Sequence, residues 1–246
     1  MKINIFYSTT VIHNLWLSFA NCFILEMTPT IIYCYDAYCG WCYGFSPVIS
    51  KIFHEYKDRI LFETLSGGMI PVESAHHISR MAGYISESYK PVEELTGIKF
   101  GDDYLWHILN PDKSDWHPSS EKPAIALAVF RDYHPDDTVD FAADLQKSLY
   151  FEGRDLTDNE SYRHLLDKYK IPEEEFYAKL SAADYKEKAY YDFSLVKQLQ
   201  VTGFPAVFLQ ADESKFYLLA RGYTDYETLK SRIDKVMSDM EQAKVN

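Results

Sequence analysis

Two cysteines three residues apart, Cys39 and Cys42 in the run Cys-Gly-Trp-Cys, can carry out chemistry that neither performs alone. A thiolate attacks a disulfide sulfur and forms a mixed disulfide, and a second thiol close by resolves it and leaves an internal disulfide behind. The second attack is intramolecular, which is why the short spacing helps. The pair falls where an apolar β-type run hands over to a helical pattern. At such a junction the unpaired backbone N–H groups and the positive end of the helix dipole favour a thiolate at the first cysteine, below the free value of ~8.5. Cys39 is therefore the expected nucleophile and Cys42, one turn into the helix, the expected resolving thiol.

Other chemistries fit the sequence less well. A structural zinc needs two more ligands. Neither a second Cys-x-x-Cys nor a His-x3-His spacing appears among His13, His54, His76, His77, His107, His117, His134 and His164. No metal is expected. Cys34 lies inside the β-type run and reads as a small core residue, and Cys22 has no argued role. Asp36, three residues before Cys39, can assist proton transfer or simply cap the turn. Far along the chain, Thr202-Gly203-Phe204-Pro205 precedes a β-type run. Proline there can punctuate a loop. Alternatively, a cis Phe204–Pro205 bond beside the cysteines would offer the Phe204 backbone as an edge for an extended substrate.

The elements that must position these residues follow from hydrophobic period. Residues 30–35 are β-branched and aromatic, a buried-strand composition. Phe45, Ile49, Ile52, Phe53 and Tyr56 follow at helical spacing, with a kink expected at Pro47. Residues 60–65 form a second strand closed by Gly67-Gly68. A helical tract comes next. Pro71 is expected to open a helix through Ala75, Ile78, Met81, Ile85 and Tyr89, with His76 and His77 on different faces of it, and Pro91 and Gly97 to bracket a short second one. Residues 110–123 read as a loop. Helices then run over Ile125–Tyr133 and Thr138–Leu149, after Thr157-x-x-Glu160 as a capping box, from Pro172, and over Tyr185–Leu199, ending at Gly203. Residues 206–210 and 215–219 flank a turn as a β-hairpin, and Thr224-x-x-Glu227 caps a final helix. The order is βαβ, helices, ββα: an α/β, thioredoxin-like sheet with an inserted all-helical domain. Residues 27–68 with 184–246 form the sheet domain, 69–183 the insertion, and 1–26 an N-terminal extension.

The chain of 246 residues has a net charge of −12, with 25 Lys+Arg against 37 Asp+Glu. No basic run offsets that charge, so nucleic acid and anionic membrane surfaces are not expected partners. Hydrophobic residues make up 47% of it, enough for a sizeable core. All four cysteines lie in the first 42 residues, which is no disulfide framework. The apolar run from Lys2 to Ile24 resembles a signal peptide in outline, but His13, Asn14 and Asn21 interrupt it and no small-x-small cleavage site follows. A start at Met27 would lead directly into the first strand, so a cytoplasmic location is expected, and a periplasmic one if residues 1–26 act as a signal.

The run Asp36-Ala-Tyr-Cys39-Gly-Trp-Cys42-Tyr-Gly resembles the active-site signature of DsbA-family thiol-disulfide oxidoreductases, most of all the FrnE-like branch. The similarity extends over most of residues 30–240, through Leu149-Tyr-Phe-Glu-Gly-Arg-Asp-Leu-Thr-Asp158 and Val201-Thr-Gly-Phe-Pro205-Ala. The resemblance implies a thioredoxin fold with a helical insertion, Cys39 as nucleophile, Cys42 as resolving thiol, and Pro205 as a substrate-side cis-proline, with Trp41 and Phe204 beside it in substrate binding. Gly40 stands where FrnE-like members usually carry proline, Trp41 where strongly oxidising DsbA proteins carry histidine, and Tyr33 where many relatives place a buried acid. The expected activity is disulfide exchange or isomerisation on protein or peptide substrates, with no bound cofactor and a separate redox partner. The alternative is a glutathione-dependent enzyme of the 2-hydroxychromene-2-carboxylate isomerase or kappa-class transferase type. Those relatives typically have serine or a single reactive residue at the nucleophile position, so the intact cysteine pair argues against it, although glutathione can serve as co-substrate.

Overall fold

The computed structural model describes residues 28–245, so the readings made for residues 1–26, Cys22 and Met27 lie outside the described residues. Strand β1 (Thr30–Tyr35) is buried at every position but its first, as its composition requires. It runs parallel to β2 (Leu61–Ser66) and antiparallel to β3 (Ala206–Gln210), which pairs antiparallel with β4 (Phe216–Arg221). The strand order is β2-β1-β3-β4. β1 is thus a central strand, and its C-terminal end delivers the cysteine loop into the middle of the sheet edge.

Helix α1 (Gly40–Tyr56) follows that loop and buries Phe45, Ile49, Ile52, Phe53 and Tyr56. Pro47 stands inside it, and the helix continues through. Proline has no N–H for the Tyr43 carbonyl one turn back, and the Ser46 hydroxyl donates to that carbonyl instead, at 2.8 Å. Between β2 and β3 lie helices α2 (Ser79–Thr96), α3 (Asp102–Leu109), α4 (Glu121–Phe130), α5 (Thr138–Tyr150), α6 (Arg163–Tyr169), α7 (Glu173–Leu180) and α8 (Ala183–Gln198). α9 (Tyr226–Val245) closes the described chain. The result is a thioredoxin-like α/β fold with a helical insertion. One buried cluster runs from Ile31, Phe45 and Leu209 at the sheet to Phe130, Phe141 and Phe176 in the inserted helices.

Several helix ends differ from the sequence reading, each for a local reason. Pro71 is extended and leads into a short 3-10 turn at Val72–Ser74, not a long helix. The next residues are held to the 114–116 loop: the His77 ring meets Ser114 O at 2.7 Å and Ile78 N–H donates to Trp116 O at 2.9 Å. α2 therefore starts only at Ser79, and His76 and His77 precede it. α2 then passes through Pro91, so there is no separate helix between Pro91 and Gly97. Pro91 has no N–H for the carbonyl of Glu87 one turn back, and Glu87 is an exposed residue that water can reach. The loop read over 110–123 is shorter, because Pro123 sits in the first turn of α4, where its missing N–H costs nothing. Both capping boxes shift by one residue to a stronger acceptor: Asp158 takes the Glu160 N–H and Asp225 the Thr228 N–H. α8 ends at Gln198 rather than at Gly203, and Gln200 makes the left-handed reversal (φ 57°).

Candidate active site

Cys39 is the N-cap of α1, and its Sγ accepts the Cys42 backbone N–H at 3.3 Å. The first turn of a helix leaves such donors unpaired, so the sulfur stands where the backbone offers positive charge. Cys39 is 7% exposed and Cys42 wholly buried, and both are free thiols in this structure. Burial, and after it the Cys39 sulfur, push the Cys42 thiol well above its ordinary value. Of the two, only Cys39 has surface exposed, and it alone borders a cavity. Cys34 is buried in β1 on the far side of the sheet's central strand, packed with Ile32, Leu65 and Val196, and burial pushes its thiol up to about 12. Among the described residues no three His, Cys, Asp or Glu side chains converge as a metal site would need.

The loop before β3 comes to the cysteines from the other end of the chain. The Phe204–Pro205 peptide is cis, and the Cys39 Sγ lies 3.6 Å from the Phe204 carbonyl oxygen. The Phe204 ring, in turn, leans on Gly67: a Cβ there would stand 2.1 Å from the ring's Cζ. Gly67 is thus required for close approach of the two loops, although in the sequence it reads only as the end of a strand. Trp41 is half-buried and, with Cys39, Gly40 and Phe204, borders a cavity of about 340 Å³.

Three polar side chains fix the loop between β1 and α1. Asp36 is buried, and its carboxylate accepts from Tyr38 N–H (3.0 Å), the Ser120 hydroxyl (2.9 Å) and Met69 N–H (2.7 Å). It thereby caps the turn and also ties it to the loop after β2 and to the start of α4. Burial raises its pKa despite these three donors. From α5, the buried Gln146 amide donates to Asp36 O at 3.1 Å and to Cys39 O at 3.5 Å. Sequence reading missed Gln146. Its signal is a polar residue beside Phe141, Ala142, Leu145 and Leu149 on the helix face that packs inward. Tyr33 puts a buried hydroxyl behind the pair, beside the Cys42 thiol. Burial first, and the Cys42 and Cys39 thiols next, raise it well above the usual phenol range, so it stays protonated.

Residues 30–234 match the family described as DSBA-like thioredoxin domain. Among curated proteins none matches the chain. Solved structures with the same fold include a candidate protein disulfide isomerase from Nitrosomonas europaea (TM-score 0.73, 23% identity, 87% of this chain and 99% of that one). The cytosolic disulfide reductase DsbM from Pseudomonas aeruginosa, solved with GSH, gives TM-score 0.64 at 22% identity over 85% of this chain and 99% of that one. A 2-hydroxychromene-2-carboxylate isomerase gives 0.58 at 11% identity over 88% and 99%. At these identities the likeness is one of fold. The family match spans all four strands, the cysteine pair and the Phe204–Pro205 loop, and by it the chain belongs to the DSBA-like thioredoxin domain family.

Proposed function

We propose that this protein is a dithiol–disulfide oxidoreductase acting on protein or peptide disulfides, with Cys39 as nucleophile and Cys42 as resolving thiol. Members of the family are disulfide oxidoreductases. The observation that carries the reading is the Cys39 sulfur at the head of α1, with the Cys42 N–H on one side and the Phe204 carbonyl 3.6 Å away on the other. In the reaction, the Cys39 thiolate attacks one sulfur of a substrate disulfide. An S–S bond forms between Cys39 and that sulfur while the substrate's own S–S bond breaks, and the released thiolate takes a proton from water. Cys42 then loses its proton and attacks the Cys39 sulfur. The internal Cys39–Cys42 disulfide forms, the second substrate thiolate leaves, and two electrons have passed from protein to substrate. Run backwards, the same steps oxidise a substrate dithiol, and stopping at the mixed disulfide allows isomerisation. Trp41 and the Phe204–Pro205 loop flank the substrate chain. An extended backbone laid beside Phe204 pairs as an added strand would. Asp36 positions the loop through three hydrogen bonds, and a part in proton transfer belongs to the same proposal.

Reduction of insulin by the protein with dithiothreitol as electron source tests this reading. Turnover that disappears in Cys39→Ser supports it. Glutathione conjugation or isomerisation without any disulfide exchange would replace it with the glutathione-dependent alternative. The reduction potential of the Cys39–Cys42 couple then sets the direction of use, reductant or oxidant.

A further inference from the structure

Gln146 is wholly buried on the inward face of α5 beside Phe141, Ala142, Leu145 and Leu149, and the groups it meets force the orientation of its amide. Both are acceptors: its Nε2 lies 3.1 Å from Asp36 O and 3.5 Å from Cys39 O. Turned the other way, the amide would set its own oxygen against two carbonyl oxygens. The orientation that avoids this leaves Gln146 Oε1 buried with no hydrogen-bond partner, a costly arrangement for a residue that only fills space. Nor do the two carbonyls need Gln146 for a partner. Asp36 O already accepts the Cys39 N–H and Cys39 O the Tyr43 N–H, each at 3.1 Å.

What the two carbonyls share is the turn that carries the Cys39 sulfur. A thiolate there is stabilised by the unpaired N–H groups at the head of α1 and opposed by the negative ends of nearby carbonyl dipoles. The Gln146 amide presents its positive end to those oxygens in a buried place, where a dipole acts more strongly than in water. The titratable neighbours of Cys39 are Asp36 in the turn, Cys42 in α1, Tyr33 in β1 and Tyr150 in α5, and burial shifts each of them toward its neutral form. α2 and the Phe204 loop bring no charged side chain to the cavity beside the sulfur. Fixed dipoles are therefore the main influence on it. We propose that Gln146 is a positioning residue for the disulfide exchange: its amide N–H groups hold the 36–39 turn and offset the carbonyl dipoles of that turn, so that the Cys39 thiolate forms more readily. Through it the inserted helices reach the nucleophile. One helical turn further along α5, Tyr150 joins Phe100 in an aromatic wall of the cavity, the two rings edge to face at 5.3 Å. The assignment rests on the dithiol reading above, in which Cys39 is the attacking sulfur.

Alkylation of Cys39 by iodoacetamide, mapped by peptide mass spectrometry on Cys42→Ser protein from about pH 4 to 10, reads thiolate formation directly. Two further substitutions are made in that background. Gln146→Met keeps the reach of the side chain and removes both N–H groups, and Gln146→Glu sets a carboxylate against the turn. On the rising limb of the profile Gln146→Met is expected to react about threefold more slowly, a shift of about half a pH unit to higher pH, with the same plateau once the thiol is fully ionised. Gln146→Glu should move the profile the same way. A glutamine that merely staples the turn would, when replaced, lower the melting temperature and leave the profile in place. An unshifted profile in a variant with intact circular dichroism, or a shift to lower pH, therefore overturns the proposal, and if Gln146→Met fails to fold Gln146→Glu decides alone. Insulin reduction by the unsubstituted protein tests the dithiol reading separately. If that reduction is present, the reading stands whatever the Gln146 variants do; if it is absent, the reading falls and the role of Gln146 with it.

Discussion

The candidate site places two identical thiols in unlike surroundings. Cys39 caps a helix and touches solvent, whereas Cys42 is enclosed, with its thiol pushed well above the ordinary value by burial first and by its neighbour second. Once Cys39 is tied up in a mixed disulfide, the burial of Cys42 remains. The thiolate is the attacking species, so resolution is expected to be slow near neutral pH and to speed up about tenfold per pH unit until Cys42 ionises. Rapid acid quench of the mixed disulfide between pH 6 and 9 measures this, and a flat profile would show that another group takes the Cys42 proton. These two cysteines were legible in the sequence because spacing and the strand-to-helix junction are local. Gln146 and Ser120 were not, because their roles depend on a partner tens of residues away: Ser120 reaches Asp36 across 84 residues and Gln146 reaches it across 110.

At the scale of elements, packing decides what the local pattern leaves open. The strands, the order of the helices and the hairpin are readable because each carries its own period and its own turn residues. The helix at Pro71 was misread because His77 and Ile78 are tied to residues 114–116, a contact no window of neighbouring residues contains. The same holds for Gly67. Its Cβ position is filled by the Phe204 ring, so Gly67→Ala must move that ring and with it the carbonyl next to Cys39. The expected cost is about 1–3 kcal/mol of stability, with a clear fall in insulin reduction, and an active, equally stable variant would mean that the two loops are not interlocked. A second tie joins α4 and α8 to the sheet. Arg131 holds Asp192 through two hydrogen bonds of 3.1 and 2.7 Å, donates to Thr64 O, and leaves Asp192 to accept Ser66 N–H at 3.3 Å. Removing the carboxylate strands a half-buried guanidinium, and Asp192→Ala is expected to lose about 3–5 kcal/mol, read as a drop in denaturant midpoint with the cysteine reactivity preserved.

In the molecule as a whole, the sheet and the inserted helices form one buried cluster, and the active site lies where they meet. β1 supplies the cysteine loop, β3 the Phe204 loop, and the insertion supplies Gln146 beneath the turn and the aromatic wall beside it. Neither part alone would complete the site. The membership of the fold was legible because the family signature and the element order agree. The aromatic wall was not, since Phe100 and Tyr104 at the start of α3 meet Tyr150 at the end of α5 only once these distant segments are packed together. Among the described residues no helix is long and apolar enough to cross a membrane. The arrangement as a whole sets one sulfur at the opening and one behind it, the separation on which the proposed division of attack and resolution rests.

That separation is tested most directly by trapping. Reduced Cys42→Ser and Cys39→Ser proteins are each incubated with a disulfide-bonded protein, quenched with acid, and the covalent adducts mapped by mass spectrometry. Cys42→Ser is expected to accumulate a mixed disulfide at Cys39, since attack survives while resolution is lost, and Cys39→Ser is expected to form none. Equal trapping by both variants, or adducts on Cys42 alone, would contradict the assignment of Cys39 as nucleophile and Cys42 as resolver.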